Sequence, residues 1–78
     1  MKEINIYYIK NNLEIMKKIA DLRKDLNSDL SIKYTLGFMK HNDNLGVIHI
    51  KALKENLNDF INRNKDKLKN FNGNIVIA

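Results

Sequence analysis

Residues 29–39 read DLSIKYTLGFM, and this stretch decides the fold. Every second residue in it is large and apolar: Leu30, Ile32, Tyr34, Leu36 and Phe38. A period of two residues is typical of a β-strand, and alternation between apolar and polar residues is typical of a strand buried on one side only. The stretch therefore predicts a strand over residues 29–39 with one apolar and one mixed face.

The residues that follow predict a hairpin. His41-Asn42-Asp43-Asn44 is a cluster of turn-forming residues, and residues 45–51 again have the composition of a strand, with Ile48 and Ile50 directed inward. Two strands joined by a short polar turn pair in antiparallel fashion.

A helix is predicted on the N-terminal side of this hairpin, over residues 12–26. Its apolar residues have the spacing of one helical face: Ile15, Met16, Ile19, Leu22 and Leu26. Asn11 is the expected N-cap, and Glu14 three residues later completes a pair that resembles a capping box.

A second helix is predicted on the C-terminal side, over residues 52–71. Its apolar face comprises Leu53, Leu57, Phe60, Ile61, Leu68 and Phe71. Its start has no obvious N-cap, whereas Asn72-Gly73 supplies the left-handed position that commonly ends a helix. A start before Ala52 would shorten the strand that precedes it.

Two further strands complete the chain, at residues 3–10 and 74–78. In the first, Ile4, Ile6 and Tyr8 share one face, while Asn5, Tyr7 and Ile9 share the other. The element order β-α-β-β-α-β predicts an α+β protein of the ferredoxin-like split type. In it, two helices cover one face of a four-stranded antiparallel sheet. Another small α+β sheet with a different strand order is the alternative.

Composition narrows the class of protein. The 78 residues predict a single domain, residues 1–78, and the lack of cysteine excludes thiol catalysis and disulfides. No apolar run approaches the length of a membrane span and the N-terminus does not resemble a signal peptide, so we expect a cytoplasmic protein without membrane contact. The net charge of +5 permits binding to nucleic acid or to an acidic protein surface. Because lysine, asparagine and isoleucine have AT-rich codons, we interpret part of this charge as a consequence of genome composition, as in a low-GC microbe or its mobile elements.

The sheet face opposite the helices is the predicted binding surface. The candidate residues for contact with nucleic acid or a partner are Tyr7, Lys33, Thr35, His49 and Lys51. RNA-recognition domains carry stacking aromatic residues on the two central strands of this topology, where Tyr7 and His49 are expected. Residues 44–51 lack that family's aromatic signature, so the likeness is one of topology alone.

The same face permits other functions. Ile9, Met39 and Val47 lie on it, and an apolar open sheet also suits a homodimer or a partner protein. A second hypothesis is therefore a small protein, encoded by a mobile element, that binds and inhibits or adapts a host protein or nucleoprotein machine, such as a CRISPR effector.

The sequence offers little for catalysis. Neither His41 nor His49 has a partner at metal-ligand spacing, and Asp43 is the one carboxylate in its loop. No phosphate-binding glycine loop or nucleophile motif is present in the sequence. We therefore expect a protein that is not an enzyme and that binds no cofactor and no metal. We interpret Asp21 and Asp25, like the basic run at residues 63–69, as solvated helix surface.

Overall fold

The computed structural model describes residues 1–69 and 75–77. Its elements are β1 (Lys2–Ile9), α1 (Leu13–Ser28), β2 (Lys33–Met39), β3 (Asn42–Ala52), α2 (Lys54–Arg63), α3 (Lys65–Lys69) and β4 (Ile75–Ile77). The predicted α+β class and the antiparallel sheet are confirmed. None of the helices in these residues is long and apolar enough to cross a membrane.

Three long strands form the body of the sheet, in the order β2-β3-β1. Strand β3 pairs with both neighbours along most of its length, with Ile48 opposite Ile6 on one side and opposite Leu36 on the other. The short β4 pairs with the outer edge of β1, where Ile77 lies opposite Ile6. All these pairings are antiparallel, and β2 is an edge strand.

The core lies on one face of this sheet. Strand residues Ile6, Ile48 and Ile50 are fully buried there. The pairing of β1 with β3 matches even-numbered residues with even-numbered residues, so the side chains of all three lie on the same face of the sheet. Leu22 of α1 and Phe60 of α2 belong to the same apolar cluster. Both helices therefore pack on the same side of the sheet, and the opposite face carries none of the described helices.

Strand β2 begins at Lys33, so the predicted start at residue 29 is wrong. The Oδ1 of Asp29 accepts a hydrogen bond from the backbone N–H of Ser31 at 3.0 Å, and the Asp29 carbonyl accepts one from Ile32 N–H at 3.2 Å. These local bonds make a turn that competes with strand pairing. As a result Leu30 is 97% exposed and does not belong to the apolar face.

The N-cap of α1 is Asn12, and the prediction of Asn11 is wrong by one residue. The Oδ1 of Asn12 accepts a hydrogen bond from the backbone N–H of Ile15 at 3.1 Å, and the Asn12 backbone is extended. This geometry satisfies one of the N–H groups that a helix start leaves without an intrahelical partner.

The turn between β2 and β3 is Lys40-His41, so the predicted turn over residues 41–44 is also wrong. Strand β3 begins at Asn42, and its pairing with β2 shifts register between Phe38 and Met39. The N–H of Lys10 donates to the carbonyl of Asn44 at 2.6 Å. This contact with the end of β1 holds polar residues in the strand that local propensity assigns to a turn.

The predicted second helix is interrupted at Asn64, between α2 and α3. The Asn64 backbone leaves the helical region, and its side-chain N–H₂ donates to the carbonyl of Phe60 at 3.0 Å. Leu53 precedes α2 without a side-chain cap, as expected. The predicted end at Asn72-Gly73 lies outside the described residues, as do Phe71, Asn74 and Ala78.

Candidate binding surface on the open sheet face

Four of the five candidate residues form two neighbouring cross-strand pairs on the open face. Lys33 of β2 pairs with Lys51 of β3, and Thr35 pairs with His49. Their side chains, together with Tyr34, line a shallow depression. We call Lys33, Thr35, His49 and Lys51 the basic end of the open face. The regular register of β2 against β3 brings them together, because residues two apart on each strand share a face.

Tyr7, the fifth candidate, lies further along the same face. It pairs with Val47 on β3, whereas His49 pairs with Asn5 on β1. Tyr7 and His49 are therefore diagonal neighbours on adjacent strands, within reach of one extended ligand. Both side chains are partly exposed.

A hydrogen bond holds the His49 ring. Its Nδ1 lies 2.7 Å from the Oδ1 of Asn5 on the neighbouring strand. Since an amide oxygen can only accept, Nδ1 is the donor in this contact. The bond fixes the tautomer and the ring orientation, and leaves Nε2 for another partner.

Glu3 is a charged residue of this surface that the sequence-based prediction did not include. Its Oε1 lies 3.7 Å from the Nζ of Lys51 and 3.9 Å from the Nε2 of His49. Glu3 has the same parity as Asn5 and Tyr7, and Glu3 pairs with Lys51 in register. Strand alternation alone could have placed it on the open face.

The basic end keeps a positive balance despite Glu3. Two lysines lie directly opposite each other on β2 and β3, an arrangement that destabilises a strand pair. Glu3 contacts Lys51, but Lys33 has no ion-pair partner within residues 1–69 and 75–77. Both lysines are exposed, so the repulsion is weak, and an anion between them would relieve it.

The other end of the open face is apolar. Val47 lies between Tyr7 on one side and Gly37 on the other, and Ile9 pairs with Leu45. We call Tyr7, Ile9, Leu45 and Val47 the apolar end. The open face is thus divided along the strands, with charges at one end and an aromatic ring among aliphatic side chains at the other.

A separate polar cluster joins the ends of α1 and α2. Arg63 donates to Asp25 at 2.8 and 3.2 Å and to Asp29 at 2.9 Å, while the side-chain amide of the buried Asn64 donates to Asp25 at 2.6 Å. We call Asp25, Asp29, Arg63 and Asn64 the helix-end clamp. Asp25 and Arg63 are therefore ion-pair partners, a contact that the interpretation as solvated helix surface missed, although Arg63 is exposed to solvent.

The clamp changes the acidity of its carboxyl groups. Hydrogen bonds from Arg63 and Asn64 lower the pKa of Asp25, and burial opposes them. The side chain and backbone of Ser31 lower the pKa of Asp29, with help from Arg63. Sequence patterning could not pair Asp25 with Arg63, because they are far apart in the chain and on different helices.

No three histidine, cysteine, aspartate or glutamate side chains come together as a metal site within residues 1–69 and 75–77. Comparison with protein-family models and with curated proteins found no match to this chain. Its surfaces are therefore the basis for assigning a function.

Proposed function

We propose that this chain is a non-catalytic binding module that associates with single-stranded nucleic acid through the open sheet face. The observation that carries the proposal is the exposed Lys33–Lys51 pair, flanked on the same face by His49 and Tyr7. We further propose that the fold is the ferredoxin-like split arrangement with β4 as its fourth strand, and that the protein works in the cytoplasm.

The basic end would bind phosphate groups. Lys33 and Lys51 have directly opposite positions on β2 and β3, so one phosphate between them would interact with both ammonium groups. The Thr35 hydroxyl can donate a further hydrogen bond to a phosphate oxygen beside it. Binding through phosphates releases counterions, so the affinity should fall steeply as salt is added.

The rings would bind the bases. Tyr7 is diagonal to His49, and His49 is held in one orientation by Asn5. A single strand that crosses β1 and β3 can place successive bases on these two rings, and each stacked base contributes about 1–3 kcal/mol. Stacking tolerates any base, so this geometry favours binding with little sequence preference.

The first test is a titration with short fluorescent single-stranded RNA, single-stranded DNA and duplex DNA, at low and physiological salt. Lys33→Gln/Lys51→Gln should weaken binding to single strands and reduce its salt dependence. Lys17→Gln/Lys24→Gln removes the same charge from exposed residues of α1 and is the matched control. Equal weakening by both variants would show that net charge alone causes the binding and would contradict the proposal.

A second pair of substitutions tests the rings. Tyr7→Ala/His49→Ala should weaken binding to single strands by about 1–3 kcal/mol for each base that loses its stacking partner. Unchanged affinity in this variant would exclude the sheet face as the nucleic-acid site.

The second candidate function is the binding and inhibition or adaptation of a host protein or nucleoprotein machine by a small mobile-element product. The observation that favours it is the apolar surface of β2, where Phe38 is 72% exposed. Neighbouring phage or defence genes would favour this function. Phe38→Ser should then abolish capture of the partner and leave binding to single strands unchanged.

A further inference from the structure

Strand β2 is an exposed edge with little to protect it. It lies at the end of the sheet order, and Leu36 and Phe38 are 45% and 72% exposed on the helix side of the sheet. Edge strands are commonly protected by proline, by several charges or by very short length. The seven residues of β2 contain no proline and one charge, at Lys33.

The sequence of β2 is complementary to itself in antiparallel orientation. When two copies of the strand are centred on Leu36, the residues of one pair with those of the other as follows: Leu36 with Leu36, Thr35 with Gly37, Tyr34 with Phe38, and Lys33 with Met39. Aromatic pairs of the Tyr34–Phe38 type stabilise antiparallel strands, and a leucine pair at the centre buries apolar surface.

Both aromatic residues are already positioned within one copy. The hydroxyl of Tyr34 donates to the side-chain oxygen of Asn27 at the end of α1. The Nζ of Lys10 lies 5.7 Å from the centroid of the Phe38 ring, so this cation covers part of the ring without burying it. The strand would therefore lose little side-chain freedom on pairing, which favours association.

The register centred on Leu36 also keeps the two copies of Lys33 apart. Each Lys33 lies opposite an uncharged Met39, and the two Lys33 residues are separated by six positions along the strand, about 20 Å. In a chain with a net charge of +5, this register therefore avoids the repulsion that two directly opposed Lys33 residues would cause.

We propose that two copies of this chain pair through β2, antiparallel and centred on Leu36, to form one continuous sheet. The two-fold axis that relates the copies is perpendicular to the sheet, because the two β2 strands are antiparallel neighbours within one sheet. Both open faces then lie on the same side, and the two basic ends are at opposite ends of the shared surface. This interface uses the edge of the sheet and leaves the open face free, in contrast to a homodimer through that face.

The experiment substitutes Leu36, the residue that lies on the two-fold axis and pairs with its own copy. Leu36→Lys and Leu36→Glu each place like charges directly opposite in a homodimer, and a mixture of the two variants places opposite charges there. The solution mass of the native chain, each variant and their mixture should be measured by light scattering at several concentrations. Leu53→Lys is the matched control, since Leu53 is 50% exposed and lies outside β2.

We expect dimers for the native chain and for Leu53→Lys, monomers for each Leu36 variant, and recovery of the dimer in the mixture. The homodimer dissociation constant should rise roughly tenfold or more in each Leu36 variant. Far-UV circular dichroism verifies that the variants are folded. A native chain that stays monomeric, a dimer that tolerates Leu36→Lys, or a mixture that fails to pair would overturn the proposal. None of these outcomes depends on binding to nucleic acid.

Discussion

Of the two glycines that the structure describes, Gly46 is the one at which an added carbon atom would meet more resistance. A Cβ built there would lie 2.4–2.7 Å from three atoms of the Tyr8 phenol, including its oxygen. Tyr8 is only 7% exposed, and burial raises the pKa of its hydroxyl. The ring therefore lies directly on the β3 backbone, and only glycine leaves room for it.

We expect Gly46→Ala to lower the free energy of unfolding by about 1–3 kcal/mol, because the Tyr8 ring must move within a packed core. Urea denaturation measures the loss. Gly37→Ala is the control, since its Cβ would lie 3.3 Å from a methyl group of Val47 and needs a much smaller adjustment. Equal losses in the two variants would contradict this account of Gly46.

For single residues, the sequence predicts well which face of the sheet a side chain lies on, and predicts poorly which other side chains it contacts. Alternation correctly placed Ile6 and Tyr8 in the core and Tyr7 on the other face. It could not reveal that Tyr8 lies on Gly46, because cross-strand register is a tertiary property. The Asn5–His49 hydrogen bond was hidden for the same reason.

At the scale of elements, the main error concerned burial at the sheet edge. Leu36 and Phe38 alternate as a buried strand should, yet both are exposed because β2 is the outermost strand. Alternation reports which residues share a face and does not report how far the helices extend over that face. The break at Asn64 was equally hidden, since the Asn64 side chain donates a hydrogen bond to Asp25 of the other helix, a tertiary contact.

The helix-end clamp should make stability depend on pH in the acid range. The folded-state pKa values of Asp25 and Asp29 lie below their ordinary values, so the clamp stabilises the fold above the unfolded pKa of about 4. That stabilisation is lost as the pH falls through the lower, folded pKa values. We therefore expect Arg63→Met to destabilise the protein at pH 7 and to have a smaller effect at pH 2.

Thermal denaturation of both proteins across this range provides the measurement. Arg23→Met is the control, because Arg23 is exposed and makes no ion pair with a carboxylate in the described residues. A difference between the native chain and Arg63→Met that stays constant with pH would show that Arg63 acts through packing alone.

At the scale of the whole molecule, one apolar cluster joins the helices to the sheet. It includes Ile19 of α1, Phe60 of α2 and Ile48 of β3. A chain of 78 residues has a total stability on the order of 4–12 kcal/mol, so each buried methyl group matters. A single cluster of this size should unfold as one unit.

We expect Ile19→Val and Ile48→Val each to lower the free energy of unfolding by about 0.5–1.5 kcal/mol and to shift one common transition. Urea unfolding followed in parallel by circular dichroism and tyrosine fluorescence provides the test. The exposed Leu30, changed to valine, should have little effect. Separate midpoints for the two signals would show that helix and sheet unfold independently.

The two edges of the sheet differ in a way that limits assembly. One edge is β2, with seven residues, and the other is β4, with three. A sheet with two long edges can recruit copies at both and grow into a fibre, whereas pairing of β2 with itself consumes the single long edge in the described part of the chain. At high protein concentration we therefore expect association through β2 to stop at the dimer.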